Sequence, residues 1–273
     1  MEQSSEKQNE IEYWQKRAKR EYGYKGEVFY TVTPVPYYYE RRIIVLDSLR
    51  KVIEQYHANK ICDMGCGDGE YLKKIYTEEK NYYGIDISEN MIEIAKNRAY
   101  KDNMRIFYNV STNGLQGISD FDFIYSVSLF AHISDEDMKK MFENIYKNLV
   151  RGGVFCICEQ IAPYHYGGQG WQRRTFKDYI DCLYEVGFRE SKRFSNLRID
   201  FRIHRIIFEK WIAKKIYKSI GRKEAVDEDS IRIRCNKNWL FLGCSWIATK
   251  LSIKKIHKRK LDGWGYCFIC VEK

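Results

Sequence analysis

The stretch ICDMGCGDGEYL, residues 61–72, decides how this chain is read. It opens with apolar residues suited to a strand and then sets glycine at 65, 67 and 69, where missing β-carbons let the backbone turn tightly and approach a ligand closely. A dinucleotide-binding loop has the form G-x-G-x-x-G, with a pyrophosphate on the helix N-terminus. The form here is D-x-G-x-G-x-G. Asp63 stands two residues before the first glycine and Asp68 lies inside the turn, where acids repel a diphosphate and suit a cation. Seventeen residues after Gly69, Asp86 closes the run YYGIDI, a position from which a carboxylate takes both hydroxyls of a ribose.

Outward from this loop, short apolar runs alternate with helical patterns. KICDMG (60–65), YYGIDI (82–87), MRIFYNV, FDFIYSVS (121–128) and GGVFCICEQI (152–161) read as strands. GEYLKKIYTE, SENMIEIAKNRAY, DEDMKKMFENIYKNLV and TFKDYIDCLYEVG read as helices, and Ser88 and Ser134 are placed as caps of the second and third. FRESKRFSNL is a sixth strand and GYCFICVE (265–272) the last. The fold class is α/β: a doubly wound, mostly parallel seven-stranded sheet with helices on both faces and a basic helical insertion before the last strand. The domains are an N-terminal helical lid (1–45), a Rossmann-like core (46–200), the basic insertion or cap (201–262) and the final strand (263–273). In such a sheet ligands bind beyond the carboxyl ends of the strands, so functional residues belong just after them.

The ligand called for is a nucleoside carrying positive charge and no phosphates. S-adenosylmethionine fits, its amino group meeting Asp63 or a nearby carbonyl. In ICDMGCGDG, GIDIS, FDFIYSVSLFAHI, LVRGGVF and FKDYIDCLYEVGF, covering residues 55–190, the chain resembles the class I S-adenosylmethionine-dependent methyltransferases. The resemblance implies that Gly65, Gly67 and Gly69 line the methionine part and that Asp86 binds the ribose. It also implies that Ile87 and Met91 flank the adenine, and that Ser126 starts the loop that passes the methyl group. Many relatives carry an acid after the third strand to hold the adenine amino group; here NVSTNGL offers Ser111 and Thr112 instead. EYWQKRAKREYG resembles the family's lid helix, in which a tyrosine closes over the cofactor, with Tyr22 and Tyr13 as candidates. S-adenosyl-L-homocysteine is then the product.

Methyl transfer from a sulfonium is an in-line displacement, in which orientation can contribute ~7–11 kcal/mol. A base helps where the acceptor must lose a proton, as an aliphatic hydroxyl must. Of five histidines, His132 follows the fourth strand and His165 the fifth, which makes these two the catalytic candidates. Glu159, Tyr164 and Tyr166 share the rim and are placed to bind a polyol or a cation, and PYHYGGQGW offers aromatic faces for a sugar ring. The acceptor expected is the hydroxyl of a small molecule, a sugar or a polysaccharide- or lipid-linked precursor. A base-directed nucleic-acid enzyme of this family carries Asn or Asp before Pro-Pro, or Pro-Cys; the three prolines here form neither. RNA methylation by way of the basic insertion, and cofactor binding without catalysis, stay open.

The 273 residues carry a net charge of +10, but 17 Lys and Arg against five acids fall within 201–260, and the other 213 residues carry 30 positive and 32 negative charges. HRIIFEKWIAKKIYKSIGRK within it is roughly amphipathic, and NWLFLGCSWIAT is a 12-residue uncharged run, short of the ~20 apolar residues that span a bilayer. Such a segment suits an interface with anionic lipid, a cap over an acidic or phosphate-bearing substrate, or a solvated lid or dimer helix. The polar start MEQSSEKQNEIEYW lacks a secretion signal, so a cytoplasmic protein is expected, with peripheral contact at the inner membrane face as one reading. Nine cysteines are then reduced, and Cys62, Cys66, Cys156, Cys158, Cys267 and Cys270 read as core residues, with no metal expected.

Overall fold

The computed structural model describes residues 11–15, 35–99, 101–108, 115, 118–168, 171–200, 246–247, 254–257, 261 and 263–273. The basic insertion lies almost wholly outside the described residues, as do Tyr22, Ser111 and Thr112. The chain forms two compact units, one of residues 1–19, 45–198 and 256–273, the other of 20–44 and 199–255.

The first unit holds the glycine loop and the strands around it. After helix α1 (Val35–Gln55) come β1 (Lys60–Met64), α2 (Glu70–Ile75), β2 (Asn81–Asp86), α3 (Glu89–Ala99), β3 (Met104–Tyr108) and β4 (Phe121–Val127). A single 3₁₀ turn (Phe130–His132) leads to α4 (Asp135–Asn148) and the long β5 (Leu149–Ile161). A hairpin of β6 (Tyr166–Gly168) and β7 (Trp171–Arg173) precedes α5 (Phe176–Val186), and β11 (Gly265–Glu272) closes the chain.

Parallel strands run in the order β5-β4-β1-β2-β3, and β11 lies antiparallel against β5. The chain steps from β1 through β2 to β3 in one direction, then returns to β4 and β5 on the other side. The order therefore reverses between β1 and β4, where such sheets bind ligands.

Nine strands share this sheet among the described residues, against the seven expected. The excess has a local cause. FRESKRFSNL does not run as one strand: the Ser191 hydroxyl accepts the amides of Arg193 and Phe194 at 3.2 and 2.9 Å, and this side-chain turn breaks the stretch into β8 (Arg189–Glu190) and β9 (Leu197–Asp200). A further strand, β10 (Lys254–His257), lies where helical insertion was expected.

Helix starts follow the sequence signals. Ser88 accepts Met91 N–H at 3.3 Å ahead of α3, and Ser134 accepts Asp137 N–H at 3.1 Å ahead of α4. At α5, Thr175 and Asp178 exchange bonds in a capping box, and Gly187 ends the helix at φ 114° with its N–H on the carbonyls of Leu183 and Tyr184.

Strand register assigns the two faces. Cys62, Ile124, Phe155 and Ile157 share one face and are buried with Phe130, Phe142, Tyr179 and Leu183 of the 3₁₀ turn, α4 and α5. Phe130, Phe142 and Phe155 meet edge to face at 4.9–6.2 Å, each burial worth ~1.5–3 kcal/mol. Asp63, Gly84 and Tyr125 point to the other face, where Leu72 of α2 packs onto Gly84 so closely that an added β-carbon would lie 2.6 Å from its Cδ1. The six core cysteines named above are all buried as free thiols. Among the described residues no cluster of His, Cys, Asp or Glu is arranged to hold a metal ion, and no helix is long and apolar enough to cross a membrane.

Candidate active site

The loop after β1 is built from left-handed glycines. Gly65, Gly67 and Gly69 have φ of 75°, 53° and 73°, a region closed to most side-chain-bearing residues. The N–H groups of Gly65 and Cys66 both donate to the Ile85 carbonyl, at 2.7 and 3.0 Å, so the loop is tied to the end of β2. A β-carbon on Gly65 would press on Leu129, in the loop after β4, at 3.0 Å. One on Gly67 would meet nothing within 4 Å. Gly67 therefore marks the open side of the loop, where a ligand can lie against backbone.

Three carboxylates line this opening. Asp86 Oδ2 accepts the Gly67 N–H at 2.9 Å and Oδ1 accepts that of Ser88 at 2.8 Å, so the acid is fixed across the mouth of the loop. A carboxylate has about four acceptor positions, which leaves capacity for two ribose hydroxyls. Burial raises its pKa, against the pull of those amides. Asp63, buried in β1, accepts the Tyr125 hydroxyl at 2.9 Å. Its carboxyl is lifted from 3.8 to about 8, by burial first and by the nearby charges of Asp86 and Asp68, against the pull of the Tyr125 hydrogen bond. A cation entering the loop relieves this mutual repulsion. The glycine cradle, the fixed Asp86 and the acid field all fit a cationic nucleoside such as S-adenosylmethionine. Ile87 is half-buried beside Asp86 and Met91 is buried in the first turn of α3.

Across the switch point, Ser126 is buried inside β4 with its hydroxyl lacking a hydrogen-bond partner, so the loop begins two residues later than expected. The chain leaves the strand at Ser128, whose φ is 60° and whose N–H is held by the Cys158 carbonyl at 2.9 Å. His132 ends the 3₁₀ turn that follows, half-buried, its ring edge-to-face with Trp14 at 4.9 Å. Residues 11–15 are helical, and Asn90 in the first turn of α3 donates to the Gln15 carbonyl at 3.2 Å. Among the described residues 11–15, the aromatic residue that meets the rim is Trp14; Tyr13 beside it is 48% exposed, and Tyr22 lies outside the described residues.

The remaining rim candidates separate. PYHYGGQGW, read above as aromatic faces for a sugar ring, holds two short antiparallel strands in which Tyr166 pairs with Arg173. His165 is exposed on it, its Nε2 3.1 Å from Gln172 Oε1 and its Nδ1 3.9 Å from Asp178 of the capping box. Tyr164 is 58% exposed and Trp171 37%, and both join Tyr166 and Trp264 in an aromatic cluster with ring centres 5.4–5.9 Å apart. Arg173 lies over the Trp171 ring at 5.2 Å.

Glu159, expected to face an acceptor, is instead fully buried on the face covered by α4 and α5. Its Oε1 accepts the Phe130 N–H at 2.7 Å, and burial lifts its carboxyl to about 7 against the pull of that amide and of Arg173 and Arg174. Sequence reasoning passed over Trp14, Ser128, Trp264 and Arg174. The first and third lie far from the motifs in sequence, and the pair Arg173–Arg174 reads as surface charge until α5 is seen to cover the second.

The sheet order, with a carboxylate-flanked glycine loop at its switch point, is the Rossmann-like fold of the class I S-adenosylmethionine-dependent methyltransferases. Residues 61–153 match the family described as "Methyltransferase domain". A phosphoethanolamine N-methyltransferase of Plasmodium falciparum is 26% identical over 244 residues, covering 81% of this chain and 83% of that protein. A carboxy-S-adenosyl-L-methionine synthase of Staphylococcus epidermidis is 31% identical over 138 residues, 46% of this chain and 55% of its own length. The chain thus spans about half the length of some curated relatives it matches. The magnesium protoporphyrin IX methyltransferase of Synechocystis, solved with bound S-adenosylhomocysteine, shares the fold with a TM-score of 0.55 at 18% identity, over 71% of this chain and 92% of its own.

Proposed function

We propose that this chain is an S-adenosylmethionine-dependent methyltransferase acting on a hydroxyl of a small polar acceptor, a sugar or a polysaccharide- or lipid-linked precursor. The observation that carries it is the open Gly67 face ringed by Asp63 and Asp86, a cradle for a cationic nucleoside. The cofactor supplies an electrophilic methyl on a sulfonium. The chain's own residues do the rest. Gly67 admits the methionine part, Asp63 offers its carboxylate to the amino group, and Asp86 holds the ribose. His132, in the turn after β4, takes the acceptor's proton as the oxygen attacks, and Trp14 beside it limits water. Tyr164, Tyr166 and Trp171 offer ring faces to the acceptor. His165, bound into the hairpin by Gln172, is the lesser candidate for the base.

The basic stretch 201–260 favours an acceptor that bears phosphate or sits on an anionic membrane, since clustered Lys and Arg raise its local concentration. A second reading, methylation of an amine on a phosphate-bearing small molecule, is favoured by the likeness to the Plasmodium N-methyltransferase over most of both chains. One experiment separates them: labelled S-adenosylmethionine is supplied with sugars, sugar phosphates, phosphoethanolamine, lipid extract and RNA in separate reactions. Label in the sugar or lipid-linked pools supports the first reading. Label in phosphoethanolamine supports the second, and label in RNA overturns both.

A further inference from the structure

The turn that carries His132 is gripped from beneath by two charged side chains with no access to solvent. Glu159 of β5 takes the Phe130 N–H at 2.7 Å. Arg174, equally buried, donates from Nη1 to the Phe130 carbonyl, from Nη2 to the Ile133 carbonyl at 2.7 Å, and from Nε to Asp135 at the start of α4 at 2.6 Å. Phe130 is therefore held at both its N–H and its C=O, with His132 between the two carbonyls that the guanidinium bridges. The backbone of Arg174 is itself fixed: its carbonyl accepts the Ala162 N–H at 3.1 Å, and it pairs with Ile161 at the end of β5. It follows Arg173 of β7 directly and precedes Thr175, the cap of α5.

Apolar side chains of similar volume would fill this space at lower desolvation cost. What the charged pair provides, and apolar groups cannot, is direction. A planar guanidinium with five donors fixes three acceptors at once, which a lysine cannot do. The acceptors chosen all belong to the turn after β4 and the start of α4, while the donor hangs from the aromatic hairpin.

We propose that Arg174 and Glu159 are positioning residues for methyl transfer, locking the His132 turn to the β6–β7 hairpin so that base and acceptor platform keep a fixed separation. Neither reaches solvent, so neither touches the acceptor. This rests on the methyltransferase reading above, in which His132 is the base and the hairpin receives the acceptor.

The test compares R174K, E159Q and E159L with the unaltered chain in four measurements. These are urea unfolding, calorimetric binding of S-adenosylhomocysteine, kcat and KM for whichever pool is methylated, and hydrogen exchange of the amides of residues 128–133. The proposal expects R174K to fold, to bind S-adenosylhomocysteine within about threefold of the unaltered chain, and to lose at least tenfold in kcat with little change in KM. Its amides at 130–133 should exchange at least tenfold faster. E159Q keeps an oxygen for the Phe130 N–H and should recover most of what E159L loses. A folded R174K with unaltered kcat and unaltered exchange at 130–133 overturns the proposal, as does E159Q falling as far as E159L. Should R174K not fold, the comparison of E159Q with E159L decides. If the unaltered chain binds S-adenosylhomocysteine yet methylates no pool, the acceptor reading fails separately, and the exchange data alone decide whether the clamp exists.

Discussion

Gly67 lies in the loop after β1 and Gly84 inside the neighbouring β2, and a methyl group added to each has a different consequence. At Gly67 the φ of 53° makes Ala cost about 1–2 kcal/mol in backbone strain, and its β-carbon enters the open side proposed for the cofactor. G67A should therefore fold but bind S-adenosylhomocysteine at least tenfold more weakly by calorimetry. At Gly84 the new β-carbon would lie 2.6 Å from Leu72 Cδ1 and 3.0 Å from Cys66 Sγ. G84A should lose about 1–3 kcal/mol of stability in urea while its folded fraction keeps much of its cofactor affinity. Asp63 supplies a pH test. With its carboxyl lifted to about 8, the empty site holds a proton below that pH, and a cation beside it expels the proton. Affinity for S-adenosylmethionine should then rise as pH increases from 6 toward 8, by up to about tenfold per unit, and level off above. In D63N that rise should vanish. The same shift makes ionisation of Asp63 costly to the empty fold, so this group's share of stability is full below about pH 4 and is lost as pH climbs through 8. The left-handed glycine turn and the place of Asp86 across it were legible from sequence because both are set by backbone within a few residues. Glu159 was not, since only the packing of α4 and α5 decides that a carboxylate at the end of β5 faces inward.

Among the elements, helix starts were legible to the residue because a cap is a local bond between a side chain and an amide three positions on. Thr175→Ala removes such a bond from α5 and should cost about 1 kcal/mol by urea unfolding, with cofactor affinity unaltered. What escaped the sequence was the behaviour of glycine-rich and serine-bearing connections. The glycine-rich PYHYGGQGW suggests a mobile loop, yet here residues 166–168 pair with 171–173 and Tyr166 meets Trp171 and Trp264 edge to face. Likewise the Ser191 turn that splits β8 from β9 competes with strand pairing through a side chain, which apolar periodicity does not register. The hairpin also carries a functional prediction. If the exposed rings of this hairpin receive the acceptor as proposed, W171A should raise KM for the acceptor by about fivefold or more and leave calorimetric affinity for S-adenosylhomocysteine within twofold.

At the scale of the whole chain, the charge is uneven: 47 Lys and Arg against 37 acids, with the excess confined to 201–260. The acids that matter for the cofactor sit in the near-neutral remainder. If the basic stretch draws the chain to anionic lipid, sedimentation with phosphatidylserine vesicles should be strong at low salt and fall as ionic strength approaches 0.5 M, while neutral vesicles bind little. The central claim concerns the other end of this charge distribution, the carboxylate-lined opening between β1 and β4. Its most direct test is calorimetric titration of the purified chain with S-adenosylmethionine, S-adenosylhomocysteine and NAD. The account predicts saturable, one-to-one binding of the first two, weakened at least tenfold by D86A, and none of NAD. Saturable binding of NAD with no uptake of either adenosyl compound would contradict it.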